Sequence, residues 1–165
     1  MLRSPSLGSL AIVATATCTA LVAAAATVGA VHAAGPREAV EARPLPFQVP
    51  KSADGHFWAQ AQVNGRPIRV LVDTGSSAVA LTFADASALN LDTTGLDFDR
   101  TVATASGPAE AAPVTLHSVS VAGAEVAEVH ALIVKGGMDS SLLGMSYLGR
   151  LSGFSADRQA LTLTP

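Results

Sequence analysis

The sequence predicts a mostly β domain, either a barrel or a sandwich, with one or two short helices. From Lys51 onward, short apolar runs recur at near-regular spacing and are separated by Gly, Asn and Pro turns. Asn64-Gly65 stands between two such runs, and this dipeptide is a strong signal for a tight hairpin because it adopts positive φ angles readily. The last run, "GFSADRQALTLT", is typical of a closing hairpin with Leu161 and Leu163 on one face.

Length and composition limit the class of protein. The chain has 165 residues, a net charge of −3 and 49% hydrophobic residues, which suits a single domain once a targeting segment is set aside. Its basic residues are scattered singly and form no stripe. The sequence therefore predicts no nucleic-acid partner.

The first 33 residues are expected to be an export segment. No charged residue lies between Arg3 and Arg37, residues 7–31 are apolar, and "VHAA" offers small residues for cleavage after Ala33. The alternative is a retained N-terminal membrane anchor, because the run is long enough to cross a bilayer as a helix. Both interpretations predict an exported domain, periplasmic or secreted, and the second attaches it to the inner membrane through residues 7–31.

A linker and one domain are predicted to follow. Residues 34–50, "AGPREAVEARPLPFQVP", combine prolines with charges and are typical of an exposed linker. Residues 51–165 form the predicted domain. The single cysteine, Cys18, precedes both segments, so the domain has no disulfide and no thiol nucleophile.

Further elements can be placed along the domain. "AVALT" predicts a strand and "FADASALNL" a short helix that ends near Asn90. Two strands are predicted around a tip at residues 106–108, and another pair around Ala122-Gly123. "KGGMDSSLLG" is interpreted as a Gly-rich loop, followed by a short helix over residues 145–151.

One acidic residue stands out. Asp73 follows the apolar run "RVLV" and opens a Thr-Gly-Ser turn. Burying an unpaired carboxylate costs several kcal/mol, and an Asp that bonds its own backbone in a β-turn is the plain structural alternative. A site that needs a rigidly held carboxylate is the functional explanation.

Two motifs carry a family resemblance. "VLVDTGSSAVAL" resembles the active-site stretch of aspartic proteases, and "SSLLGMSYLGRL" resembles their second signature, roughly seventy residues later. The stretch from Asn64 to the C-terminus resembles small single-domain bacterial retropepsin-like proteins with an N-terminal export or anchor segment. The resemblance implies a retropepsin-like closed β-barrel that forms half of a symmetric dimer. It also implies a peptide or protein substrate and no metal or other cofactor.

The resemblance assigns roles to individual residues. Asp73 is the expected catalytic carboxylate, and Ser76 is expected to bond its outer oxygen. Thr74 is expected to hydrogen-bond across the twofold axis, and Gly75 to let the backbone pass close to the carboxylate and donate its N–H.

A second group of residues is expected to surround this turn. Leu142, Leu143 and Gly144 are expected to pack under it as structural supports. Ser106 and Gly107 fall where the mobile substrate flap of the family lies, although Pro108 removes one backbone donor.

The number of motifs predicts the oligomer. "LDTTG" at 91–95 has an extra residue and no preceding apolar strand, and "MDSSL" at 138–142 has no Gly. One chain therefore supplies half of a carboxylate pair, and a homodimer supplies the other half.

The expected function is peptide-bond hydrolysis by an aspartic endopeptidase, with water activated between two Asp73 carboxylates. The alternative is a non-catalytic peptide-binding or dimerisation module on the same fold. "GMSYLG" lacks the Gly that a serine nucleophile elbow needs two residues after Ser146, so Ser146 is predicted to be structural. The histidines lack metal-ligand spacing.

Overall fold

A computed structural model describes residues 47–165. The expected export segment, with its alternative as a membrane anchor, and residues 34–46 of the expected linker lie outside the described residues. Across residues 47–165, no helix is both long and apolar enough to cross a membrane. The strands are β1 (Gln48–Pro50), β2 (Trp58–Val63), β3 (Arg66–Val72), β4 (Val79–Thr82), β5 (Arg100–Thr104), β6 (Gly107–Val121), β7 (Ala124–Val134), β8 (Ser141–Leu143), β9 (Gly153–Ala156) and β10 (Ala160–Thr164). The helices are α1 (Phe83–Ala88) and α2 (Met145–Leu148).

Six strands form a closed barrel. Their order is β2-β3-β8-β4-β7-β6, and β6 pairs with β2 to complete the ring. The β3–β8 and β4–β7 pairs are parallel, and the other pairs around the ring are antiparallel. The predicted mostly β class, barrel and two short helices are therefore confirmed.

The hairpin turns follow from local sequence. Asn64 and Gly65 have φ values of 49° and 77°, and Ala122 and Gly123 have φ values of 50° and 93°. Two consecutive positive φ angles define the turn type whose twist matches the flanking strands. Both predicted turns are confirmed.

Alternating burial along the strands builds the core. In β2, Ala59, Ala61 and Val63 are buried while the intervening glutamines are exposed. Tyr147 of α2 lies in this core, and its hydroxyl donates to the carbonyl oxygen of Ala124 at 2.8 Å. Burial raises the pKa of Tyr147 to about 12, because the apolar surroundings disfavour the phenolate.

A smaller three-stranded sheet has the order β1-β10-β9. Leu161 and Leu163 of β10 are both buried, as the alternating pattern predicts. The predicted linker, residues 34–50, is corrected at its end. Residues 48–50 form β1, and Val49 pairs with Leu161. A residue before proline favours extended backbone, and proline is tolerated on an edge strand.

Three element boundaries differ from the sequence predictions. The two strands expected between residues 109 and 121 belong to one continuous strand, β6, because β7 pairs with it from Ala111 to Val121. Helix α2 ends at Leu148 instead of residue 151, with Gly149 as its C-cap. The loop expected over residues 135–144 contains strand β8.

Candidate active site

Asp73 directly follows β3 and lies at the surface of the barrel. The strand ends at Val72, which pairs with Leu143 of the parallel strand β8. The N–H of Asp73 then donates to the carbonyl oxygen of Leu143 at 3.1 Å. Asp73 is half-buried, so its backbone is fixed by the barrel while its side chain remains accessible.

The Asp-Thr-Gly turn closes on the carboxylate itself. The N–H of Gly75 donates to Oδ1 of Asp73 at 2.9 Å, and the N–H of Ser76 donates to the carbonyl oxygen of Asp73 at 3.3 Å. A Cβ atom at position 75 would lie 3.1 Å from Oδ1 of Asp73, which is tighter than nine in ten real contacts of that kind. This close approach explains why glycine suits the position.

The hydroxyls of the turn have different surroundings. Thr74 is exposed at the tip of the turn. The Ser76 hydroxyl donates to the carbonyl oxygen of Ala78 at 2.7 Å. The expectation that Ser76 bonds the outer carboxylate oxygen of Asp73 is therefore corrected. The hydroxyl donates within its own loop instead, because the chain turns back toward β4 within two residues.

Strand β8 packs beside the two strands that flank the Asp73 turn. It lies between β3 and β4, and Leu143 is buried within the core. Leu142 is half-buried and lines the cavity described below, so it is a wall of the site as well as a support.

Gly144 fits the turn because it has no side chain. A Cβ atom there would lie 2.2 Å from the carbonyl oxygen of Ala78 and 2.7 Å from that of Ser76. The next N–H, that of Met145, donates to the Ser76 carbonyl at 2.8 Å. The start of α2 is thus bonded directly to the loop that follows Asp73.

Two serines complete the support. The sequence predicts a structural role for Ser146 and assigns no role to Ser141. Ser146 donates to the carbonyl oxygen of His130 at 2.6 Å and accepts from the N–H of Val79 at 2.9 Å, a structural role. Ser141 is fully buried; it accepts from the N–H of Thr82 and donates to a carboxylate oxygen of Asp85. His130 is 16 residues from Ser146, but the other three partners are 56 or more residues from their serine along the chain, and no local sequence pattern indicates such pairings.

The β5–β6 hairpin lies over the turn. Its two turn residues are Ala105 and Ser106, one position earlier than predicted, while Gly107 begins β6 and Pro108 lies within it. Thr104 donates from its hydroxyl to the carbonyl oxygen of Gly107 at 2.6 Å. Of the two residues expected to form the flap, Ser106 lines the cavity and Gly107 is paired behind it.

A cavity of about 600 Å³ lies between the turn and the hairpin. Asp73 and Ser76 line it from one side and residues 102–106 from the other. Asp139, in the loop before β8, also lines it and was not singled out by sequence reasoning. The walls are mainly small or apolar side chains, among them Leu71, Ala80, Val102, Leu132, Val134, Met138 and Leu142.

Within residues 47–165, no group of three or more His, Cys, Asp or Glu side chains is arranged to hold a metal ion.

Comparison with known proteins identifies the family. Residues 59–150, more than half of the chain, match the family model described as "gag-polyprotein putative aspartyl protease". The chain belongs to the retropepsin-like aspartic protease family. The matched range contains the Asp73 turn, the β5–β6 hairpin and β8, so the family resemblance carried by the two sequence motifs is confirmed.

Solved structures support the retropepsin-like fold. A retropepsin-like aspartic protease from Rickettsia conorii is 44% identical, with a TM-score of 0.63, over 70% of this chain and 87% of that chain. EIAV protease in complex with the inhibitor HBY-793 has a TM-score of 0.51 and 19% identity, over 64% of this chain and 97% of that chain. At that identity, the second likeness concerns the fold alone.

Two curated relatives are longer proteins. An uncharacterized protein from Rickettsia prowazekii is 44% identical over 115 residues, which is 70% of this chain and 49% of that protein. An uncharacterized protein from a Sinorhizobium species is 46% identical over 102 residues, 61% of this chain and 44% of that protein. The chain thus spans about half the length of the curated relatives it matches.

Proposed function

We propose that this chain is an aspartic endopeptidase that hydrolyses peptide bonds as a homodimer, with Asp73 of each copy as the catalytic carboxylate. Membership of the retropepsin-like family supports the general kind of activity. The accessible surface of the Asp73 turn supports the assignment of this residue.

One observation carries the proposal. Within residues 47–165, the Asp73 carboxylate accepts a hydrogen bond from the N–H of Gly75 and from no other donor. A carboxylate has about four acceptor positions, so most of this capacity is unused among the described residues, and Asp73 lines the cavity under the hairpin. A fully engaged structural Asp would leave little capacity for a water molecule or a second carboxyl group.

The mechanism follows from two carboxyl groups that share a site. Two carboxylates side by side cannot both ionise easily, so the pair keeps one proton. The charged member takes a proton from the bound water as its oxygen attacks the peptide carbonyl, and the protonated member hydrogen-bonds the carbonyl oxygen. The tetrahedral intermediate then breaks its C–N bond, and the amine leaves with a proton from the pair.

A second copy is proposed as the source of the second carboxyl group. The chain holds one Asp-Thr-Gly turn, and its exposed tip at Thr74 is free to meet the same tip across a twofold axis. The hairpin tip at residues 105–106 would close over an extended peptide and bond its backbone, a form of strand addition.

The N-terminal 33 residues support a further proposal about location. We infer that they export the domain to the periplasm or cell exterior, as a cleaved signal or as a retained inner-membrane anchor. N-terminal sequencing of the mature chain would separate the two, because cleavage after Ala33 leaves Ala34 as the first residue.

The test compares Asp73→Asn with Asp97→Asn in the purified full chain. Asp97 is exposed and takes part in no ion pair among the described residues, so its variant controls for loss of one charge. Cleavage of a peptide library should fall by about a thousandfold or more in Asp73→Asn and stay unchanged in Asp97→Asn. Wild-type cleavage by Asp73→Asn would refute the mechanism, and peptide binding without cleavage by the wild type would favour the binding-module alternative.

The homodimer has its own readout. Specific activity should rise with protein concentration through the dimer dissociation constant, in step with the dimer fraction measured by sedimentation. Full activity from a species that sediments as a monomer would refute the shared site.

A further inference from the structure

A second carboxylate faces the cavity that contains Asp73. Asp139 lies in the loop between β7 and β8, three residues before Leu142, and it lines the same cavity. Asp139 is exposed and lies outside the Asp-Thr-Gly turn, whereas Asp73 is half-buried and belongs to that turn. Neither the family motif nor the mechanism proposed above assigns it a role.

Within the part of the chain that the structure describes, no basic side chain lines the cavity to neutralise Asp139. Among the described residues that line it, Asp73 and Asp139 are the charged ones, and the others are apolar, glycine or hydroxyl-bearing. None of the ion pairs within residues 47–165 includes Asp139.

The nearest basic residue in the sequence is engaged elsewhere. The Nζ atom of Lys135 lies 3.2 Å from Oε2 of Glu110 and 4.3 Å from the centre of the Phe98 ring. It thus joins the loop to the base of the flap hairpin and does not line the cavity.

We propose that Asp139 is a specificity-determining residue that selects peptides with a Lys or Arg side chain next to the scissile bond. The inference rests on the proposed function and names its substrate class. The apolar walls around Asp139, including Met138 and Leu132, suit the aliphatic stem of such a side chain, while the carboxylate meets its charged end. An acidic side chain in the same place would face two carboxylates and be rejected.

The expected preference is modest because Asp139 is exposed. An exposed ion pair changes binding by a small factor, and partial exclusion of water by a bound peptide increases it. We therefore expect a preference of about threefold to tenfold for Lys over an uncharged side chain of the same length. The preference should shrink at high salt, because the attraction is screened.

The experiment uses matched peptides that differ at one position beside the scissile bond: Lys, norleucine or Glu. Cleavage is measured with the full-length wild type. Binding is measured by fluorescence anisotropy with the full-length Asp73→Asn variant, so that recognition is read without hydrolysis. Each measurement is repeated with Asp139→Asn, Asp139→Glu and the charge-loss control Asp97→Asn.

Asp139→Asn should bring the Lys and norleucine peptides within about twofold of each other, whereas Asp139→Glu and Asp97→Asn should keep the preference. A Lys preference that survives Asp139→Asn, or no Lys preference in the wild type, would overturn the inference. Loss of cleavage of all three peptides in Asp139→Asn would also overturn it, by assigning Asp139 to the chemistry. If no peptide is cleaved but Asp139-dependent Lys binding remains, the proposed hydrolysis fails and the recognition stands.

Discussion

Replacing Gly144 by Ala should lower the stability of the protein far more than the addition of one methyl group suggests. The added Cβ would lie 2.2 Å from the carbonyl oxygen of Ala78, and relief to 3.0 Å requires a shift of about 0.8 Å. Neither side is free to move. The Ser76 hydroxyl holds the Ala78 carbonyl, and the N–H of Met145 is bonded to the Ser76 carbonyl.

The magnitude follows from these contacts. Overpacking a well-packed site costs about 1–3 kcal/mol, and loss of one hydrogen bond between α2 and the loop adds about 1 kcal/mol. We expect Gly144→Ala to lower the free energy of unfolding by about 3 kcal/mol, roughly 1–3 M in urea midpoint.

The assay is urea unfolding followed by the fluorescence of Trp58, the one tryptophan of the chain. Gly153→Ala is the matched control, since a Cβ there has no heavy atom within 4 Å and its φ is not left-handed. That variant should stay within about 1 kcal/mol of the wild type. If Gly144→Ala unfolds at the same urea concentration as Gly153→Ala, the backbone around Gly144 yields easily and the steric reasoning is wrong.

Two further substitutions test the core and the turn. Tyr147→Phe should lower stability at pH 7 by about 1–2 kcal/mol, because the Ala124 carbonyl loses its buried donor. The pKa of Tyr147 in the folded protein, about 12, exceeds the ordinary value of 10.0. The neutral hydroxyl therefore stabilises the fold fully below pH 10, and this stabilisation is lost as the pH rises through about 12. Urea titrations at pH 7 and pH 11 should therefore show a smaller alkaline loss for the variant, and parallel losses would contradict this. Gly75→Ala should change stability by less than about 1 kcal/mol but reduce kcat/KM about tenfold or more, since its Cβ presses on Oδ1 of Asp73; unchanged kcat/KM would count against the assigned geometry.

The parts of the fold that sequence predicts well are those set by neighbouring residues. Asn64-Gly65 defines its hairpin because both residues take positive φ angles with little strain. The β2 pattern of buried and exposed residues follows directly from the two-residue period of a strand. Asp73 could be located because the apolar strand before it and the Gly after it are adjacent in the sequence.

The parts that sequence misses depend on contacts across the chain. The three residues of β8, Ser-Leu-Leu, are too few to show a strand pattern, and they form a strand because β3, about seventy residues earlier, offers a parallel partner. Ser141 and Asp85 meet because β8 also lies beside β4, which leads into α1. Asp139 lines the cavity because β8 returns the chain to the Asp73 turn. Such parallel pairings have no local turn signal, since the connection between parallel strands is long.

The geometry also separates the support of the site from its chemistry. The backbone of Asp73 is held by Leu143 and Ser76, and the N–H of Gly75 would bond an amide oxygen at position 73 as well as a carboxylate oxygen. Asp73→Asn should therefore fold normally, and its loss of hydrolysis would report on the missing carboxylate. Gly144→Ala changes no titratable group, so its loss of hydrolysis would report on the loop. A variant that keeps its urea midpoint and loses activity has lost a chemical group and not the support of the loop. The urea midpoint of Asp73→Asn therefore decides whether Asp73 acts in catalysis or in structure.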